Sequence, residues 1–351
     1  MNNKKRIISI TVIIVTMITV WLVWSNKPFK STLITTQQKP KTSTHTKQIN
    51  SVIKPKRISK KNNTVSFLAS HESAALISKV YAAELSYPSY SQPLQANNFD
   101  RLNPNYFNPQ KMIINDQGDS ISATLSKYRY IYPEPIIITL EGDSINNAAF
   151  TLTENGTNKT LANGNFTLTD DNWQLTIKGS KKFPEQPQAK ITANVNGNAI
   201  PIVLALQYIN PIATITSFET ATAAGSDMEI KANITTEKSG LYRVSANLFD
   251  ANNQPIAHLV MKEKLSKGYE QISLKAHQSV LVGKEAPFTL STFMVELMSP
   301  SPGIRKRFGH SLIAEFTIAD FNVSSLDKSA YQASAAEMQR LELLQQMAND
   351  N

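Results

Sequence analysis

The sequence predicts a mainly β protein: two tandem β-sandwiches carried behind an N-terminal apolar segment and a basic linker, and followed by a short C-terminal helix. Three observations predict it. Short runs rich in Ile, Val, Thr, Leu and Phe recur every 8 to 12 residues from residue 111 onward. Gly and Asn turn signals separate those runs. Charge is segregated, with thirteen Lys and Arg and no Asp or Glu in the first 61 residues, against 23 basic and 27 acidic side chains in the remainder. The overall net charge of +9 is therefore a property of the N-terminal segment and not of the β region.

Residues 1–6 form a basic tip with Lys4, Lys5 and Arg6, and residues 7–24 form an uncharged apolar run. Eighteen residues at about 1.5 Å each roughly match a hydrocarbon core, so a single transmembrane crossing is expected, with Trp21 and Trp24 at its far interface. The clustered positive charge before the run favours a cytoplasmic N-terminus, which places the β domains on the far side of the membrane. The competing expectation is a cleaved signal segment and a secreted or periplasmic product. The absence of Cys fits an exported chain without disulfides.

Residues 25–63 are rich in Lys, Thr, Ser, Gln and Pro and poor in apolar side chains, so the segment is expected to be a disordered spacer spanning about 35 Å. Its ten positive charges suit a membrane surface or an anionic envelope polymer. Phe29 is the one aromatic ring among the Lys residues, and no specific nucleic-acid partner is expected.

Apolar spacing at Leu68, Ala75, Leu76, Val80 and Ala83 predicts a short helix within 64–85, with Ser70 as its cap. Residues 87–109 then hold Pro88, Pro93, Pro104 and Pro109 among several Asn and Tyr, which predicts an extended segment laid over a neighbouring domain. Tyr87, Tyr90 and Tyr106 are candidate contacts for a peptide or glycan, packing of the rings being the competing reading.

Within 111–210 the runs YRYIY, PIIITLEG, AAFTLTENG, GNFTLTD, NWQLTIKG, AKITANVNG and AIPIVLALQYI read as strands, with Asn155-Gly156, Asn163-Gly164 and Asn196-Gly197 as hairpin turns. Seven strands in this length make one sandwich of immunoglobulin-like size. Within 211–328 seven further runs, from ATITSFET to HSLIAEFTIADF, make the second. Residues 329–351 read as a helix with Met338, Leu341, Leu344 and Met347 on one stripe, expected to dock on its own domain.

The run SGLYRVSANLFDANNQPIAHL, followed by KLSKGYEQISLKAH and PFTLSTFMVELM, resembles a module of uncharacterised exported bacterial proteins built from tandem Ig-like β-sandwiches. Gly240, Tyr242, Arg243, Val244, Pro255, Ile256, Ala257, Leu265 and Gly268 carry the resemblance, which covers about residues 211–325. It implies a fold and an exported location and no catalytic residue, and together with the apolar segment it implies a bacterial inner membrane with the β domains in the periplasm. Independently of it, alternation from Gly240 puts Tyr242, Val244, Ala246 and Leu248 on one strand face.

No catalytic motif is present. The five histidines, His45, His71, His258, His277 and His310, lack metal-ligand spacing, although His258 and His277 could face each other across strands. There is no Cys nucleophile, no Gly-x-Ser-x-Gly elbow and no phosphate-cradling loop. No cofactor is expected; a Ca²⁺ site among Asp116, Asp119, Asp143, Asp170, Asp171 and Asp250 is the weaker alternative, against their ordinary use in turns. Arg305, Lys306 and Arg307, beside Phe308 and His310 in a Pro/Gly loop, are candidate contacts for an anionic group. The expected role is a non-enzymatic, membrane-tethered interaction or structural protein of the bacterial envelope, partnered by an envelope protein or anionic polymer. A glycan or polymer-binding module is the alternative, and a hydrolase with an unfamiliar acidic site ranks behind it.

Overall fold

A computed structural model describes residues 63–349, except 117, 143 and 158, with side chains from residue 73 onward. The apolar run, the linker up to residue 62, His45 and Asp143 lie outside the described residues. Among the described residues no helix is long and apolar enough to cross a membrane.

After α1 (Asn63–Glu84) come β1 (Ser91–Pro93), the single-turn α2 (Phe99–Leu102), β2 (Gln110–Ile113), β3 (Ser120–Leu125), β4 (Arg129–Ile131) and β5 (Ile136–Glu141). β6 (Ile145–Glu154), β7 (Thr160–Asn165), β8 (Thr167–Thr169), β9 (Asn172–Ile177), β10 (Pro187–Val195), β11 (Asn198–Ala205) and β12 (Gln207–Ile209) follow. One sheet runs β2-β3-β5-β9-β8 and a second β11-β10-β6-β7, while β12 pairs in parallel with β4. Alternation decides which faces meet: Ile121, Ala123 and Leu125 of β3, Ile136, Ile138 and Leu140 of β5, and Phe150 and Leu152 of β6 are buried in one cluster with Ile191 and Leu204.

The C-terminal half adds β13 (Ala213–Phe218), β14 (Thr222–Ala224), β15 (Asp227–Thr236), β16 (Gly240–Phe249), β17 (Pro255–Leu265), β18 (Gly268–His277) and α3 (Gln278–Leu281). It continues through β19 (Phe288–Leu297), β20 (Arg307–Phe308), β21 (His310–Ser311), β22 (Glu315–Ile318) and a 3₁₀ turn to α4 (Ala335–Asn349). One sheet runs β14-β15-β13-β21 with β18 also on β15, the other β1-β17-β16-β19-β20 with β22 also on β19. Their inner faces share a second buried cluster, in which Tyr242, Val244, Ala246 and Leu248 are fully buried as the alternation predicted. Two packed pairs of sheets thus make the described chain mainly β and sandwich-like.

Several expectations are corrected in detail. Asn163-Gly164 is no turn: both lie inside β7, where Gly164 sits opposite Phe150 and an added Cβ would stand 3.2 Å from its ring, so the glycine makes room for an aromatic neighbour. Asn196-Gly197 does form the β10–β11 hairpin, both residues at positive φ (52° and 83°). Helix α1 begins at Asn63, so Ser70 lies within it rather than capping it; no Pro or Gly interrupts the chain between them. The run after Ala276 turns into α3, because His277 caps it by accepting a hydrogen bond from the Ser279 N–H.

The segment from residue 87 does drape over a distant element. β1 adds to β17, the Leu94 and Val260 amides donate to the Ile256 and Tyr90 carbonyls, and the Asn247 side chain donates to the Arg101 carbonyl. Helix α4 packs against α1. A capping box starts it, with Ser334 Oγ accepting from the Glu337 N–H and Glu337 accepting from the Ser334 N–H.

Candidate functional site

The tyrosines and the basic loop, read as separate candidate surfaces, meet in part. A cleft of about 480 Å³ opens where the two halves join, and Tyr106, Phe308 and His310 line it together with Lys127, Arg129 and Phe293. The cleft exists because three distant segments are brought together. β20 pairs with β19, β21 pairs in parallel with β13, and β4 is held by β12. Residues 103–106 then pass over β4, and the Asn105 side chain bonds both the N–H and the C=O of Arg129, standing in for a neighbouring strand.

Arg129 projects from β4 between two tyrosines. Its Nε donates to Gln207 Oε1 at 2.8 Å and its Nη1 to the Pro104 carbonyl at 2.9 Å, and the Tyr128 ring lies 5.7 Å from the guanidinium. Burial pushes its pKa down, against the attraction of Tyr128 and Glu296, yet a guanidinium stays charged at neutral pH. Lys127 pairs with Glu134 at 2.8 Å. Burial also holds His310 below the ordinary imidazole range although Glu134 opposes this, so the ring is neutral at pH 7. At the far wall the pairing of β16 with β19 is irregular opposite Ala246, and Thr292 takes φ 58°, a conformation that β-branched residues rarely adopt. This bulge carries Thr292 and Phe293 into the lining, with Phe293 stacked on Phe218 at 4.9 Å.

Gly309 separates β20 from β21 because nothing larger fits. An added Cβ would lie 2.3 Å from the Ala213 carbonyl oxygen and 2.9 Å from Val295.

The basic loop is used differently from the expectation of an open anionic-group contact. Arg307 pairs with Glu185 of the N-terminal half, and Arg243 and Lys306 both approach the buried Glu296. Burial raises the Glu185 pKa and Arg307 opposes that rise. Of the three loop cations Arg307 therefore joins the two halves, Lys306 reaches Glu296 only at 3.9 Å from an exposed position, and Arg305 is exposed without an ion pair among the described residues. Tyr90 is likewise structural: its hydroxyl donates to Asp227 at 2.8 Å, and burial with that carboxylate raises its pKa. Tyr87 lines a separate groove beside α1 and packs on the C-terminal core.

His258 and His277 do not face each other. His258 Nδ1 lies 2.8 Å from Asn247 Oδ1 in one sheet, whereas His277 meets Ser279 Oγ at 2.8 Å at the end of the other. Asp119 is engaged by Asn115 in a turn, and Asp250 accepts from the Asn252 and Gln254 amides and pairs with Lys284 at 3.2 Å. Among the described residues no three acidic or His side chains converge as metal ligands would. Arg129, Lys127 and Phe293 escaped the sequence reading. The readable signal was the run KYRYIY, in which alternation puts the cations Lys127 and Arg129 together on one strand face and the tyrosines on the other.

No protein-family model and no curated protein matches the chain. Among solved structures, a DUF4785 family protein from Legionella pneumophila superimposes with a TM-score of 0.41 at 12% identity, over 50% of this chain and 52% of that one. Native alpha-2-macroglobulin of E. coli gives a TM-score of 0.30 at 11% identity over 57% of this chain and 14% of that one. Salmonella alpha-2-macroglobulin reacted with methylamine gives 0.31 at 11% identity over 61% and 15%. The chain spans about half the length of the first of these and a far smaller share of the others, and no residue role is transferred from them.

Proposed function

We propose that the chain is a non-enzymatic, membrane-tethered interaction protein of the bacterial envelope, displaying two Ig-like sandwiches on the periplasmic side of the inner membrane. The observation that supports this reading best is the clasped junction. The ion pair between Arg307 and Glu185 joins the two β halves beside one cleft, which aromatic and polar residues line. The apolar run 7–24 and the basic linker supply the tether in this reading.

The test is crosslinking of the full chain in intact cells, with mass spectrometry of what is captured and of the N-terminus. A defined envelope component captured by a chain that keeps Met1 supports the proposal. A monomer with a cut near Ser25 refutes the tether and the partner together.

A second reading, a module that binds a glycan or another envelope polymer, is favoured by the cleft itself. Exposed Tyr106 and Phe99 stand edge to face at 5.4 Å beside it, an aromatic surface that core packing does not require.

A further inference from the structure

The strongest unexplained feature is the Arg129 guanidinium. It is half-buried at the floor of the junction cleft, and none of the ion pairs among the described residues includes it. Its partners, Gln207 and the Pro104 carbonyl, are neutral and use two of its five donors. Glu296 acts on it through space but is already approached by Arg243 and Lys306. A buried charge without a counter-charge is costly, and guanidinium donors in a fixed fork match a carboxylate.

The surroundings narrow the choice. No Asp or Glu lines the cleft among the described residues, and the two carboxylates behind its walls, Glu134 and Glu296, are each approached by cations. Lys127 is already neutralised by Glu134, which leaves one uncompensated positive charge and favours a ligand with a single carboxylate over a polyanion. Aromatic rings at Tyr106, Phe293 and Phe308 alternate with neutral hydrogen-bonding groups at Asn103, Ser311 and His310, a lining suited to a body with an apolar face and several hydroxyls. The scaffold is rigid where it counts, since Asn105 and Gln207 fix the Arg129 backbone and side chain.

We propose that the junction cleft binds an acidic sugar, with Arg129 holding its single carboxylate and Tyr106 packing on the face of its ring. This deepens the second of the two functional readings and rests on it. The experiment titrates the full chain in mild detergent with glucuronate, glucose and N-acetylalanine, followed by ligand-detected NMR and isothermal titration. Glucuronate is expected to bind saturably, at least tenfold more tightly than glucose or N-acetylalanine. R129Q is expected to lose tenfold or more in affinity, the loss of a charge-assisted pair, and Y106A several-fold.

Y106A removes an exposed ring and leaves the core intact, so it remains informative if R129Q does not fold. Failure of glucuronate to bind, equal binding of glucose, equal binding of N-acetylalanine, or unchanged affinity in Y106A each overturns the proposal. Retention of the full chain on isolated envelope polymer is measured alongside. Retention without glucuronate binding overturns the acidic-sugar assignment and leaves the polymer-binding reading standing, whereas loss of both removes the two together.

Discussion

Replacing His258 by Gln should flatten the dependence of stability on acidity. The His258 ring sits half-buried between β1 and β16, bonded through Nδ1 to Asn247, with Arg101 and Arg243 nearby. Burial first, and the two arginines after it, bring its pKa from 6.5 down to about 4. The folded state therefore refuses a proton that the unfolded chain takes up near 6.5, and stability is lost as pH falls through the interval between the two values. At about 1.36 kcal/mol per pH unit the ceiling over that interval is roughly 3 kcal/mol. Partial exposure of the ring and solvent screening reduce the expected loss to about 1–2 kcal/mol. Urea denaturation of the full chain and of H258Q at a series of pH values from 7 to 4 measures it. The stability of the native chain relative to H258Q should fall by about that amount between pH 7 and 4.5. A difference that stays constant across the series would refute the assignment of a buried neutral imidazole.

Three further predictions follow from the junction and from the strap, the segment from residue 87 that lies along β17. G309A should destabilise by about 2–3 kcal/mol, read as a lower denaturation midpoint, because the new methyl collides with the Ala213 carbonyl and β20 and β21 must part. E296Q removes the carboxylate that faces Arg243 and should cost about 2 kcal/mol by the same measurement, whereas K306A, at an exposed and distant cation, should cost under about 0.5 kcal/mol. Y90F deletes the hydrogen bond to Asp227 and should cost about 1–2 kcal/mol, with faster hydrogen exchange at the Leu94 and Val260 amides if the strap is held as described.

The sequence exposed the β content well where one face is buried and the other wet. β15 alternates strictly, and in β16 the expected face of Tyr242, Val244, Ala246 and Leu248 is buried, with Ser245 and Asn247 of the opposite face covered as well. β3, with the equally regular burial of SISATL, was not among the expected strands, because its Ser and Ala give a weaker apolar signal than the Ile-, Val- and Phe-rich runs. The stretch AIPIVLALQYI read as one strand and folds as two, since β12 leaves the β11 sheet to pair in parallel with β4, a tertiary choice that local pattern cannot encode.

The site was half legible. Exposed Tyr106 and the Phe308 to His310 turn carried a signal in their composition, yet their convergence depends on the crossing of residues 103–106 over β4 and on parallel pairing of β21 with β13. The surroundings of the basic triplet were not legible, because charge in a Pro/Gly loop carries no local sign of what it faces. Its carboxylate partners, Glu185 and Glu296, lie 122 and 10 residues away and become neighbours only in the fold.

The most direct test of the central claim, that the junction cleft is the binding face, places a photo-crosslinking amino acid at Tyr106 or at Tyr269 in the full chain and irradiates intact cells. Both side chains are exposed, at 57% and 68%, but only Tyr106 borders the cleft. The account predicts one defined envelope component captured from position 106 and not from 269. Capture from 269 alone, the same products from both positions, or no product from 106 would contradict it.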